Sequence, residues 1–173
     1  DALGLPTAHL LDILRELAKV LPGLSRVSCY ATPANIQRKS VEDLALLQQH
    51  KLNLLYVGVE SGSDLVLKKI TKGATQKRMA EILSKAHASG MKVSATVILG
   101  LGGRTHSNEH IDGTIALLNS APVTYLSTLQ LYLDESVEEE FYRKFGEPFE
   151  MQDDLEILRE QEKLIRGLNP PQT

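Results

Sequence analysis

Several residues in this chain combine a reactive side chain with a position suited to using it. Glu60 stands where the apolar run Leu55-Tyr-Val-Gly-Val-Glu-Ser-Gly62 breaks into Ser61-Gly62-Ser63. A carboxylate there should point into the mouth of a sheet, where it can accept hydrogen bonds from a ribose or an amine; pairing with a neighbouring base, or capping the next helix, fits the spacing equally well. A second run, Val97-Ile-Leu-Gly-Leu-Gly-Gly103, ends in Gly100, Gly102 and Gly103, which allow either close approach of a ligand or a plain strand-to-helix turn. This is not the dinucleotide fingerprint, which needs G-x-G-x-x-G opening into a helix and an acidic residue about 20 positions later. Lys72, in Ile70-Thr-Lys-Gly-Ala-Thr75, leads into a helix capped by Thr75, and a lysine beside a free helix N-terminus attracts a carboxylate or phosphate; a solvated surface lysine is the plainer alternative. Thr128, Gln130 and Tyr132 alternate with leucines, giving one polar strand face able to read a base edge, or else a half-buried edge strand. His106-Ser-Asn-Glu-His110 fits H-x-x-E-H, the zinc pattern of inverted metallopeptidases. No third ligand stands out, and a solvated helix start with incidental histidines fits better.

These residues must be positioned by a repeating frame. Leu10, Leu11, Leu14, Leu17, Ala18 and Leu21 have helical spacing after Pro6 and Thr7, and Pro22-Gly23 terminates that helix. Arg26 to Ala31 alternates like a short strand, and Ser40 caps a helix running to about His50. The order then repeats: strand Leu54 to Val59, helices near Asp64 to Ile70 and Thr75 to Ala88, strand Lys92 to Leu99, helix Asn108 to Asn119, strand Tyr125 to Leu133. Strands alternating with helices of this length imply parallel βαβ units with right-handed crossovers. Residues 134–173 differ, with a short helix at Val137 to Phe145 and a longer amphipathic one carrying Leu155, Leu158, Ile165 and Leu168. They read as a C-terminal helical extension covering a βα unit of residues 1–133. Four parallel strands are too few to close a barrel of eight, so the expectation is a small open sheet or part of a larger barrel.

Composition narrows the function classes. A chain of 173 residues with 42% hydrophobic and 24% charged residues suits one globular domain. A net charge of −3 gives no support to nucleic-acid or anionic-lipid binding. No apolar stretch approaches the roughly 18 residues of a membrane span and no signal peptide opens the chain, so a cytoplasmic location is expected. The single cysteine, Cys29, excludes an internal disulfide and any site needing several thiolates from this chain; the residue itself suits a small buried apolar role.

The blocks Tyr56-Val-Gly-Val-Glu-Ser-Gly-Ser63, Val66-Leu-Lys-Lys-Ile-Thr-Lys-Gly73, Ala88-Ser-Gly-Met-Lys-Val93 and Val97-Ile-Leu-Gly-Leu-Gly-Gly103 together resemble the radical S-adenosylmethionine superfamily, closest to its elongator, methylthiotransferase and coproporphyrinogen-oxidase types. The likeness covers most of Ser25 to Leu133 and rests on block order and spacing. It implies a partial (βα)6 TIM-like barrel, of which this chain would carry strands three to six. In that family a four-iron, four-sulfur (4Fe-4S) cluster binds S-adenosylmethionine, whose reductive cleavage gives a 5′-deoxyadenosyl radical that abstracts hydrogen from substrate. By the resemblance, Glu60 would contact the amino-acid or ribose part of the cofactor and Lys72 would face its carboxylate. Ile98 and Gly100 would pack against adenine, and Gln130 and Leu131 would supply a further adenine contact.

The departure concerns the cluster. The family's C-x-x-x-C-x-x-C motif is absent, and one cysteine cannot hold such a cluster. With Asp1 in place of a start and Asn169-Pro-Pro-Gln-Thr173 directly after a helix, the expectation is a piece of a longer radical oxidoreductase, inactive alone and carrying no catalytic or metal residue of its own. Without the two preceding strands, Val27 to Ala31 would be an exposed edge, a template for pairing with a second copy of the chain. The rival expectations are a non-catalytic α/β module binding an anionic small molecule or a partner, and the H-x-x-E-H zinc hydrolase.

Overall fold

The parallel strands of this chain are written in long apolar runs, as strands covered by helices require. The computed structural model describes residues 1–171. Its single sheet has the sequential order β1 (Val27–Tyr30), β2 (Leu52–Glu60), β3 (Lys92–Leu99), β4 (Tyr125–Gln130), all parallel. The helices are α1 (Thr7–Val20), α2 (Pro33–Arg38), α3 (Val41–Gln49), α4 (Asp64–Lys69), α5 (Gln76–Ala88), α6 (Ser107–Ser120), α7 (Glu135–Phe145) and α8 (Asp154–Gly167), after a short 3-10 turn at Ala2–Gly4. The expected alternation of strand and helix is present.

The period-two alternation of strands gives the sheet two unlike faces. On one, Leu55, Val57, Val59, Val93, Ala95, Val97 and Leu99 are buried against Leu44, Leu47, Met79, Leu83, Ile111 and Leu118 of the helices. On the other, Tyr30 pairs with Tyr56, Gly58 with Thr96 and Ile98 with Leu129 on neighbouring strands, and these residues line one open pocket. The helix α8 adds Ile157 and Leu164 to the main core, so it is a packed layer of the fold. A second, smaller cluster of Val66, Leu101 and Leu131 is covered by Phe141 and Phe149 from the segment around α7.

Local chemistry sets the boundaries. Ser40 and Asp43 form a capping box at α3, and Thr75 accepts from the Arg78 backbone at the start of α5. Thr7 is not a cap; it is the first residue of α1, and its hydroxyl accepts from Lys39 Nζ at 3.3 Å. The unexpected helix is α2, opened by a Thr32–Asn35 capping box with Pro33 in its first turn. β4 ends at Gln130, short of the expected Leu133, because the chain turns out of the sheet toward Asp134, which caps α7. Among the described residues no helix is long and apolar enough to cross a membrane.

Candidate functional site

The site begins with a bend in β2. The register slips between Gly58 and Glu60, and Glu60 takes φ 64° while the Ser61 backbone N–H donates to the Val59 carbonyl at 2.8 Å. That is a γ-turn of the positive-φ kind, which costs a residue with a Cβ on the order of 1–3 kcal/mol. The turn brings the Glu60 carboxylate back over Gly58, where a Cβ would lie 2.1 Å from Glu60 Oε1. Gly58 is therefore the residue that makes room for the carboxylate.

Lys72 completes the pair. Its Nζ donates to Glu60 Oε1 at 3.0 Å, and the two side chains are only 21% and 19% exposed. The expected free helix N-terminus beside Lys72 is not there: Thr75 caps α5, and the Gln76 backbone N–H donates to Asp64 Oδ1 at 2.6 Å. The lysine turns back across the strand end because Thr71 and Gly73, at φ 57° and 71°, reverse the chain around it.

Glu60, Lys72 and Ile98 meet in a pocket of about 440 Å³ on the open face, floored by Gly58 and Thr96 and flanked by Tyr56. The Tyr30 and Tyr56 rings lie side by side, centroids 5.3 Å apart. The pocket thus combines a charged pair with aromatic and aliphatic surface, as a zwitterionic ligand with a flat apolar part requires.

The remaining expected residues are not brought to this pocket. Gln130 pairs in register with Leu99, on the helix-covered face, and its amide lies 3.5 Å from Asp154 Oδ1. The expected polar reading face of β4 is therefore turned away, and Leu129 presents to the pocket. Gly100, at φ 81°, faces α8: its N–H donates to Glu160 Oε2 at 2.8 Å, and a Cβ would lie 2.7 Å from Ile157 Cδ1. Leu131 is buried in the second cluster. Cys29 packs against the main core, where burial pushes its thiol pKa up.

The two histidines of H-x-x-E-H diverge, which overturns the zinc-site expectation. His110 is wholly buried, with Nδ1 2.8 Å from Ser61 Oγ and Nε2 3.0 Å from the Ile98 carbonyl; both ring nitrogens are committed. Burial depresses its pKa to about 4. His106, at the head of α6, lies between Glu147 and Glu109, and hydrogen bonding to these carboxylates raises its pKa. Glu147 also pairs with Lys69 at 2.9 Å. Among the described residues no group of three or more His, Cys, Asp or Glu side chains is arranged to hold a metal ion.

Two comparisons with known proteins agree. The sequence profile of the Radical SAM superfamily matches residues 3–118. Among solved structures, coproporphyrinogen III oxidase (HemN) from Escherichia coli, described as a radical SAM enzyme, superposes with a TM-score of 0.72 at 17% identity, over 94% of this chain and 38% of its own. The cobalamin-dependent S-adenosylmethionine radical enzyme OxsB superposes with a TM-score of 0.50 at 18% identity, over 90% of this chain and 22% of its own. No curated protein sequence matches. At these identities the superpositions speak to the fold: four parallel strands of a TIM-like barrel. The chain spans well under half the length of either neighbour.

Proposed function

Because this chain belongs to the radical SAM superfamily, we propose that its open sheet face is the S-adenosylmethionine-facing part of a longer radical oxidoreductase. The observation that carries this reading is the Glu60–Lys72 pair, 3.0 Å apart at the strand ends and beside Ile98 in one pocket. Opposite charges side by side complement the ammonium and carboxylate of an amino-acid group, Glu60 accepting from the first and Lys72 donating to the second. Ile98 and the Tyr30–Tyr56 surface supply the apolar contact an adenine needs. Bound there, the cofactor would supply the radical chemistry of the family; the residues present bind and orient it.

The same residues do not fit the family's 4Fe-4S cluster. Three thiolates are required, and the chain's single cysteine, Cys29, packs against the main core. In this reading the chain alone binds cofactor weakly and turns nothing over. Calorimetric titration with S-adenosylmethionine tests it: weak saturable binding is expected for the wild-type chain, with loss of at least about tenfold in Glu60→Gln and in Lys72→Gln, the scale of one charge-assisted hydrogen bond. Equal affinity in all three proteins would overturn it.

The edge of the sheet belongs to the same reading. β1 has a strand neighbour on one side only, and edge strands of this kind recruit another strand. A second copy of the chain is the partner proposed for it.

A further inference from the structure

Between the pocket and the helices lies a polar network that the pairing of Glu60 and Lys72 does not use. The Ser63 N–H donates to Ser61 Oγ at 3.0 Å, and Ser61 Oγ lies 2.8 Å from His110 Nδ1. On the far side of the ring, Nε2 lies 3.0 Å from the Ile98 carbonyl. A carbonyl only accepts, so Nε2 carries the proton; Nδ1 of the neutral ring then accepts from the Ser61 hydroxyl, which leaves Ser61 Oγ free to accept from Ser63. Every donor in the chain has an acceptor. One helical turn further on, Thr114 Oγ1 donates to the His110 carbonyl at 2.7 Å and accepts from the Gly62 N–H at 2.9 Å. Alongside, the backbones of Gly62 and Gly113 touch so closely that a Cβ on Gly62 would lie 2.2 Å from the Gly113 carbonyl oxygen.

We propose that His110 is the positioning residue of the site, clasping the loop after β2 to the end of β3 and so holding Glu60 in its strained turn toward Lys72. The inference rests on the reading of Glu60 and Lys72 as the cofactor-facing pair, but its geometry stands apart from any ligand. Glu60 sits at the centre of a turn that its own backbone disfavours. The three residues after it, Ser61, Gly62 and Ser63, are each anchored through this network, and the anchor ends on Ile98, which lines the same pocket. A buried neutral imidazole suits this role because it alone among side chains presents one donor and one acceptor on opposite sides of a rigid ring.

Three measurements on the isotopically labelled chain test the clasp. Ring nitrogen spectra should show His110 as the neutral Nε2–H tautomer at pH 6, beside a protonated His106. In Ser61→Ala and His110→Gln, amide hydrogen exchange at residues 60–63 should quicken roughly tenfold, the scale of one lost hydrogen bond, while amides of α3 keep their wild-type rates. In Ser61→Ala, affinity for S-adenosylmethionine should fall by a similar factor, with no comparable fall in Leu47→Val, a core substitution remote from the clasp. A protonated or Nδ1–H ring at pH 6, or unchanged exchange at residues 60–63 in folded Ser61→Ala, overturns the proposal. Should the wild-type chain bind no S-adenosylmethionine, the functional reading falls, and the tautomer and exchange measurements still decide the clasp.

Discussion

The glycines around Glu60 separate space for chemistry from space for packing. At Gly58 a new Cβ would meet the end of the Glu60 side chain, which can swing away, so Gly58→Ala should change stability by less than about 1 kcal/mol and yet abolish the Glu60–Lys72 geometry and with it S-adenosylmethionine affinity. At Gly62 the obstacle is the Gly113 backbone, and Gly62→Ala should destabilise by about 1–3 kcal/mol in urea unfolding. The two histidines of the H-x-x-E-H segment act on stability with opposite sign. His106 has a folded pKa above its ordinary 6.5, held there by Glu147 and then Glu109. Its contribution is therefore full below pH 6.5 and disappears as pH rises through the folded value. His110, depressed from 6.5 to about 4 by burial, contributes above 6.5 and loses roughly 3 kcal/mol as pH falls toward 4. Urea unfolding at several pH values checks both: His106→Asn should cost most near pH 5.5 and little at high pH. None of this is legible from spacing, because the same two residues are one helical turn apart in either role and only tertiary surroundings distinguish them.

At the level of elements, α8 adds a buried carboxylate to its apolar contacts with the core. Glu160 is 3% exposed and accepts from the Gly100 N–H and, at 2.6 Å, from Ser107 Oγ; burial raises its pKa against these hydrogen bonds. Glu160→Ala leaves the Gly100 N–H without its partner, and a loss of about 1–3 kcal/mol in urea unfolding is the expected result. The contact also accounts for Gly100: the glycine that in sequence looked ready for a ligand is occupied by a helix more than fifty residues away. The alternation of strand and helix and the caps at Ser40 and Thr75 were readable because they depend on near neighbours and on short periods, and the pairing of Glu60 with a base was one of the alternatives its spacing left open. The facing of Gln130 was not, because a run such as Leu126-Ser-Thr-Leu-Gln-Leu131 supplies apolar residues to both sides, and register with β3 decides which side is which. The signal for α2 was present in Thr32-Pro33, a cap followed by a residue with its φ already helical, though the helix is too short to show periodicity.

For the molecule as a whole, the sheet is open at both ends, β1 and β4 each having one neighbour. Tyr30, on β1, is 70% exposed and Leu129, on β4, is 58% exposed, so the face that binds in the proposed reading is also the face left uncovered. Sedimentation of the purified chain should show a concentration-dependent dimer, weakened by Ser28→Pro: Val27 and Ala31 donate their N–H groups to the β2 side, so the alternate Ser28 N–H faces the open edge and proline removes it there; a monomer at high concentration would sink the proposed pairing. The domain class and the parallel repeat were legible from the apolar runs and their spacing, whereas the extent to which α8 joins the core was not, since its amphipathic pattern states that one face is buried without stating against what. The sequential order β1-β2-β3-β4 has one more consequence. Each strand lies beside the strand synthesised just before it, so no part of the sheet waits for a distant segment, and the growing chain can add one strand and one helix at a time as it leaves the ribosome.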